Sequence, residues 1–568
     1  MLIGTGTGIP FRQTKGLGSI IRSLFFSSGE KGVIFDPTDF TTLFKDNAGT
    51  QPITSFNPAG DTVGLMLDKS KGLALGSEIV DPIDFHTFTT SGGIVTVTSN
   101  TSYTADAVAN VYKAVLTVGR WYKITINATF TSSNLILYNG ASGSPQIGST
   151  LTSGVSATYY FYTVATQLNI RPGSAGSVTV NSITVKELPG YHATQATSTA
   201  RPILARHPAT GKRNLLTYSE DFSNAAWTKV SCSVSANATA APDGTLTADQ
   251  ITSSGDGYFY QAASLTIGNT YSFSVYLKTV DASSQTNRLK IYDMVGTPVD
   301  ETNVNTDITV DGTWTRFSTT FIAGVTGTHN IQIGGNSKFL SGESVYCWGA
   351  QIELGSTATT YQKTTTIYDT TEAGVNDLHY LRFDGVDDFM VTPSIDFSAT
   401  DKMSVFAGFR QLASGSAYVL VELSATAATN NGSFAIFSDI VGNGRPDAML
   451  RGDTGTADIR AGAADLRTAP YSAVISSVMD IAGANVATEL AEANFRINGA
   501  QFVSPIYGGA ASVGAGNFGN YAMYIGMRAG TSFPFNGHLY SLVVRGALSD
   551  AAQIASGESF SNSRTYAY

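Results

Sequence analysis

Three carboxylates stand within one short run, Asp384, Asp387 and Asp388 in FDGVDDF. Oxygen ligands gathered in one turn are what a hard cation such as calcium takes. The same residues equally suit a tight turn between strands, because Asp-Gly favours turn backbone and Asp side chains accept turn amides. Bond cleavage finds less support. Glycoside hydrolysis needs two carboxyl groups flanking the scissile bond, and the nearest candidates, Glu489 and Glu492 in ELAE, are three residues apart. That spacing puts them on opposite faces of a strand, which leaves them as solvated loop acids. The His-Glu-x-x-His, Gly-x-Ser-x-Gly and phosphate-loop patterns are absent, and the six histidines are scattered at 86, 192, 207, 329, 379 and 538. The expectation is a protein with no catalytic site and no required cofactor.

The elements that must position these groups are strands. Short alternating runs of Val, Ile, Thr, Tyr and Phe, separated by Gly, Asn, Ser and Asp, recur from Val33 to the C-terminus. A helix is expected only near Ile20 to Phe26 and over Ser549 to Ser556, where Ser549 can cap it. With 568 residues the chain should divide into about three to five domains. Hydrophobic residues make up 42% and charged residues only 14%, so Ser, Thr, Asn and Gly supply the polar surface, as in β-rich extracellular or virion proteins. Forty-three acidic against thirty-four basic residues give a net charge of -9, which argues against nucleic acid as a partner. No run of about 18 apolar residues offers a membrane span, and the N-terminus lacks the pattern of a secretory signal, so synthesis in the cytoplasm is expected.

Residues 78–189 and 214–363 carry the same landmarks in the same order. Each opens on Asp-Phe and a further aromatic (Asp84, Phe85, Phe88; Asp221, Phe222, Trp227), and each closes on Glu-Leu. Between them, LTVGRWYKITI (Leu116 to Ile126) aligns without gaps to LTIGNTYSFSV (Leu265 to Val275). Period-two alternation turns Tyr122, Ile124 and Ile126 inward, with Tyr271, Phe273 and Val275 in the second copy. Trp121, Lys123 and Asn127 then face the other way, as do Tyr276 and Lys278, and a ring beside polar groups is a platform for a sugar. The alternative for Trp121 is burial under a neighbouring strand, loop or subunit. Of the run Tyr159, Tyr160, Phe161 and Tyr162, half the rings must point outward. Cys232 and Cys347 fall in the second copy, where they either form one crosslink between strands or pack as small apolar groups.

When the two copies are removed, VGLMLDKSKG runs into YHATQATSTARPILA and then into LHYLRFDGVDDFMVTPS. That order resembles bacterial and phage laminin G-like, concanavalin-type lectin domains. The stretch NLLTYSEDFSNAAWTKV with VYCWGAQIELGS resembles the phage head-spike and fibre module, akin to carbohydrate-binding jelly rolls. The resemblance implies an all-β protein of three β-sandwich modules with a short N-terminal anchor. The anchor is 1–32; the lectin-like domain is 33–77, 190–213 and 364–568; the inserts are 78–189 and 214–363. Loops tolerate such insertions because closure entropy grows slowly with length. The resemblance further implies a virion fibre or spike protein that binds host surface polysaccharide and docks on capsid or tail proteins through its N-terminus. It also implies a homo-oligomer, with a trimer the expected form, and a structural calcium near Glu220 and Asp221. His192, within HATQAT, is expected to be structural.

Overall fold

The computed structural model describes residues 15–80, 82–141, 145–294, 302–483, 495–503 and 505–568. Apart from two α-helices and a few short 3-10 turns, the regular structure of these residues is β, and the expected all-β sandwich architecture is what forms. The chain makes two compact units, Met1–Phe56 with Asp61–Leu204 and His379–Tyr568, and Asn57–Gly60 with Ala205–Leu378.

In the first unit, the strand Asn536–Arg545 is the axis of one sheet. It pairs with Lys402–Gln411 on one edge, while its other edge takes Gly32–Phe35 and Asp377–Asp384 end to end. Every residue of KMSVFAGF from Met403 to Phe409 is buried. A run buried on both sides needs cover on both faces of its sheet. One face is covered by a facing sheet that includes Tyr418–Leu423, Ser433–Asp439 and Met523–Ile525. The other is covered by the helix Ala551–Thr565. That helix is longer than the expected segment, and its cap is Asp550 rather than Ser549, through a reciprocal capping box with Gln553. Gly557 fits against the ring of Phe406, where a Cβ would come within 2.6 Å.

The helix Lys15–Phe25, within the expected anchor 1–32, packs on its own chain. Ile21, Phe25 and Phe26 are buried in the core of this unit, and Phe25 stacks on Phe406 with ring centroids 5.3 Å apart. Arg545 donates to the Phe25 carbonyl (2.8 Å) and pairs with Glu30 (2.8 Å). Residues 1–14 lie outside the described ones.

The facing sheet also joins pieces that are distant in sequence. Leu65–Met66 pairs with Ala193–Thr194, and Thr194 faces Val391 on the next strand. Beside this junction the buried Asp68 carboxylate accepts the amides of Ile34, Ser70 and Tyr191 at 2.8–2.9 Å. Its own backbone N–H donates to Nδ1 of His192 at 2.9 Å. Burial pushes His192 down to a pKa of about 3, so the ring is neutral, as an acceptor at Nδ1 must be.

Residues 89–187 of the same unit form two five-stranded sheets. Tyr122, Ile124 and Ile126 lie between them, as the alternation requires. In the second unit Tyr271, Phe273 and Val275 occupy the matching positions. The two copies share a hydrogen bond: Thr117 N–H donates to the Tyr122 hydroxyl (3.1 Å), and Thr266 N–H to that of Tyr271 (3.0 Å). The aligned Gly119 and Gly268 have φ of 81° and 78°, a left-handed turn that glycine adopts without strain.

The sandwich of the second unit is organised by the long strand Ala248–Leu265. Its first part pairs with Ser344–Leu354, beside which run Thr270–Thr279 and Thr315–Ile322. Its last part pairs with Gly327–Gly334, beside which run Gln285–Asp293 and Thr302–Val310. Asn214 closes the module: its Nδ2 donates to the carbonyls of Ala350 and Gln362, and its Oδ1 accepts the amides of Leu216 and Ile352. The Asn-Leu-Leu and Gly-Ala-Gln motifs are thus two halves of one clamp.

The disulfide that the sequence allowed does not form; both cysteines are free. Cys232 faces Ser253 and Cys347 faces Asp249 on opposite edges of the strand Ala248–Leu265. Two strand spacings, about 9.5 Å, exceed the span of a disulfide.

A His192 whose pKa is lowered in the folded state makes stability fall as pH drops below its unfolded value near 6.5. Between pH 7.5 and 4.5 its share of that loss is about 2–3 kcal/mol. In His192→Asn the amide oxygen replaces Nδ1 as acceptor. Urea unfolding at the two pH values should show a shallower pH dependence in the variant by that amount, with other titrating groups cancelling in the difference.

Candidate functional site

The outward face of the sheet built on Gly327–Gly334 carries the most sugar-like chemistry of the second unit. In Tyr258-Phe259-Tyr260 the alternation sends Phe259 into the core and both tyrosines outward, half-buried and stacked with centroids 6.3 Å apart. Tyr260 faces Gln332, and Gln332 faces Lys290 on the strand beyond. One step along, Asn330 faces Tyr292 and donates from Nδ2 to its hydroxyl at 3.1 Å. Lys290 lies over the Tyr292 ring at 4.7 Å. At the far edge Arg288 and Lys338 hold Asp307 at 2.6 and 3.0 Å, which keeps its carboxyl below the usual range.

This face therefore offers half-buried ring platforms on two strands, and the amides Asn330 and Gln332 on the strand between are buried, Gln332 Nε2 donating to the Gly334 carbonyl at 2.8 Å. The platforms are about 10 Å apart across the sheet. Gly334 and Gly335 permit it. A Cβ at Gly334 would meet the Gly257 carbonyl at 2.5 Å, and one at Gly335 would meet Gln332 Nε2 at 2.7 Å. Rings that stack on the apolar face of a pyranose, beside amides and cations that bond its rim, form a surface suited to a sugar chain.

On the opposite sheet the expected Tyr276 and Lys278 are half-buried and lie against rings of their own module. Tyr276 packs against Trp348 (5.4 Å) and under Arg316, while Trp348 packs on Tyr361 (4.6 Å) and donates to Thr247. Lys278 lies over Tyr346 at 6.0 Å. In the first copy Trp121 does face away from the sandwich core, but it meets Phe44, Leu65, Leu67 and Leu188 and is only 5% exposed. It is no open platform. Asn127 is spent on Gly154, Ser156 and Asn181, and Lys123 lies over the Tyr160 ring at 5.6 Å.

Tyr258, Tyr260, Tyr292, Asn330 and Gln332 were not singled out in the sequence. The alternating GYFYQ was the signal that could have found the first two, since a core Phe between two tyrosines sends both rings to one outer face.

The acidic groups separate clearly. Oxygens of Asp384, Asp387 and Asp388 lie within 4.8 Å of one another, and no other such group of three occurs among the described residues. Asp384 also accepts the amides of Val386 and Asp387, and Asp388 that of Asp384, so the cluster caps its own turn. Burial, then the charges of Asp384 and Asp387, raise Asp388 to about 7. Glu220 is matched instead by Lys363 (2.6 Å) and the Tyr361 hydroxyl, and Asp221 caps a turn through Ser223 and Asn224. Glu489 and Glu492 lie outside the described residues.

The comparison with known families falls on this same module. Residues 214–334 match the carbohydrate binding domain family. Among solved structures, a family 4 carbohydrate-binding module, titled "CBM4 structure and function", is 14% identical with a TM-score of 0.19, covering 26% of this chain and 97% of that one. The CBM22-1–CBM22-2 tandem of Paenibacillus barcinonensis Xyn10C is 11% identical with a TM-score of 0.23, covering 50% and 98%. The CBM40 of Ruminococcus gnavus IT-sialidase, bound to alpha2,3 sialyllactose, is 14% identical with a TM-score of 0.21, covering 31% and 93%. No curated protein matches the chain.

If the three aspartates hold calcium, the ion relieves the repulsion that raises Asp388. Thermal unfolding at pH 8 should then shift upward by several degrees with millimolar calcium relative to chelator. Asp387→Asn should abolish the shift. An unchanged midpoint with calcium would leave the cluster as a turn cap.

Proposed function

We propose that this chain is a non-catalytic adhesin that holds a surface polysaccharide across the tyrosine face of its carbohydrate-binding module. The observation that carries the reading is that face itself: the half-buried rings of Tyr258, Tyr260 and Tyr292, with Lys290 over the last, on two strands of one sheet. The modules described in the comparisons are named for binding carbohydrate, one of them with sialyllactose bound. That chemistry fits the rings and amides here.

The finer reading is a bacteriophage fibre or spike protein on the virion surface, whose partner is host surface polysaccharide. It rests on the resemblance of NLLTYSEDF and WGAQIELGS to head-spike and fibre modules, and of the HATQAT and FDGVDD segments to laminin G-like domains. A homotrimer and docking on capsid or tail proteins belong to the same proposal.

Affinity electrophoresis of the full chain through host surface polysaccharide tests the site. Tyr260→Ala should weaken retardation about tenfold, the loss of one stacking contact worth roughly 1.4 kcal/mol. Tyr276→Ala, on the opposite sheet, should leave retardation unchanged while lowering the unfolding midpoint. Equal retardation of wild type and Tyr260→Ala would remove the tyrosine face from the binding site.

A further inference from the structure

The first sandwich carries a face built to the same pattern as the tyrosine face. LILYN (Leu135 to Asn139) aligns without gaps to LKIYD (Leu289 to Asp293), and LNIR (Leu168 to Arg171) to HNIQ (His329 to Gln332). Strand pairing repeats the alignment: Tyr138 faces Asn169 and Ile136 faces Arg171, as Tyr292 faces Asn330 and Lys290 faces Gln332. Leu135, Leu137, Leu168 and Ile170 fill the core, so Tyr138 and Arg171 point outward, where both are half-buried.

The two copies differ in where the cation stands and agree on the ring it covers. In the second copy it is Lys290, on the same strand as Tyr292, and the first copy has Ile136 at that position. Its cation is Arg171 on the next strand, where the second copy has Gln332. Arg171 nevertheless lies over the Tyr138 ring at 5.6 Å, as Lys290 lies over Tyr292 at 4.7 Å. Different positions thus bring a cation to the same outward tyrosine.

On the other side of the strand Gln167–Pro172, Tyr112 faces Asn169. Val111 beside it is in the core, so Tyr112 sends a second half-buried ring outward. It stands about 10 Å from Tyr138, two strand spacings, as the platforms of the second copy do. There the residue facing Asn330 is Ala262, and the ring is two residues along at Tyr260. Asn169 is buried and spent on Val111, Asn110, Gly140 and Ala141, which leaves the two rings and Arg171 to meet a ligand.

We propose that this face of the first sandwich is a second sugar site, and that it takes a chain of pyranoses. Tyr112 and Tyr138 stack on the apolar faces of sugars, and the Arg171 guanidinium donates to their hydroxyls. The inference rests on the reading of the tyrosine face as a sugar site, and it makes each chain bind the polysaccharide twice.

The test is a calorimetric titration of the full chain with tetrasaccharides cut from the host surface polysaccharide. Wild type should bind two per chain, a count that needs no substitution. Tyr112→Ala with Tyr138→Ala should weaken one of the two about a hundredfold, the loss of two stacking contacts of about tenfold each, and leave one measurable. Tyr258→Ala with Tyr260→Ala should remove the other, and the four substitutions together should abolish binding, with urea midpoints checking that each variant is folded. A single site, kept in Tyr112→Ala with Tyr138→Ala and lost in Tyr258→Ala with Tyr260→Ala, would overturn the second site and leave the tyrosine face standing. The reverse pattern would uphold the face on the first sandwich and remove the tyrosine face. Two sites untouched by Tyr112→Ala with Tyr138→Ala would overturn the proposal, and no binding by wild type would sink both readings.

Discussion

The first unit depends on one buried carboxylate. Asp68 gathers the amides of Ile34, of Ser70 two residues on, and of Tyr191, which lies beyond more than a hundred residues of inserted chain. Burial alone raises the pKa of this carboxyl, and the amides oppose that rise. The three segments are therefore positioned by the need to solvate one charge that water does not reach. His192 completes the arrangement by accepting the Asp68 amide, and its neutrality keeps a second charge out of the same interior. Hydrophobic packing gives the two sheets their contact, but it is indifferent to register. The directed bonds at Asp68 and the pairing of Thr194 with Leu65 and Val391 supply that register.

A similar economy decides which face of the second sandwich can meet a ligand. Both sheets carry aromatic residues outward, so composition does not distinguish them. The difference lies in chain economy: Trp348, Trp314 and Tyr361 are used to hold the module's own loops over one sheet. Tyr258 and Tyr260 stack on each other instead, and the Tyr292 hydroxyl accepts Asn330 Nδ2. In the proposed reading the tyrosine face is the one that meets the polysaccharide.

Much of this was legible in the sequence and some was not, for identifiable reasons. The inward residues Tyr122, Ile124, Ile126, Tyr271, Phe273 and Val275 follow from period-two alternation, because each lies in a sandwich with one buried and one outer face. The helix ending at Phe25 was visible as an apolar run, but its destination was not. An apolar face says that something covers it and leaves the partner unnamed, and here the partner is Phe406, almost four hundred residues away. For Trp121 the direction was readable and burial under a neighbour was one of the readings; which segment covers it was not legible. The cysteines were placed in one module correctly, yet their separation depends on which strand lies between them, and that is a matter of topology.

The chain enters and leaves the first sandwich at a single point. Gly76 N–H donates to the Glu187 carbonyl at 2.8 Å, and Ile79 N–H to that of Val185. Two ends held this close define a cassette. The sandwich leans back on the segments that flank it, Trp121 on Leu65 and Leu188 and Tyr160 on Phe44. Any change within that cassette is therefore felt at the sheet whose register Asp68 enforces.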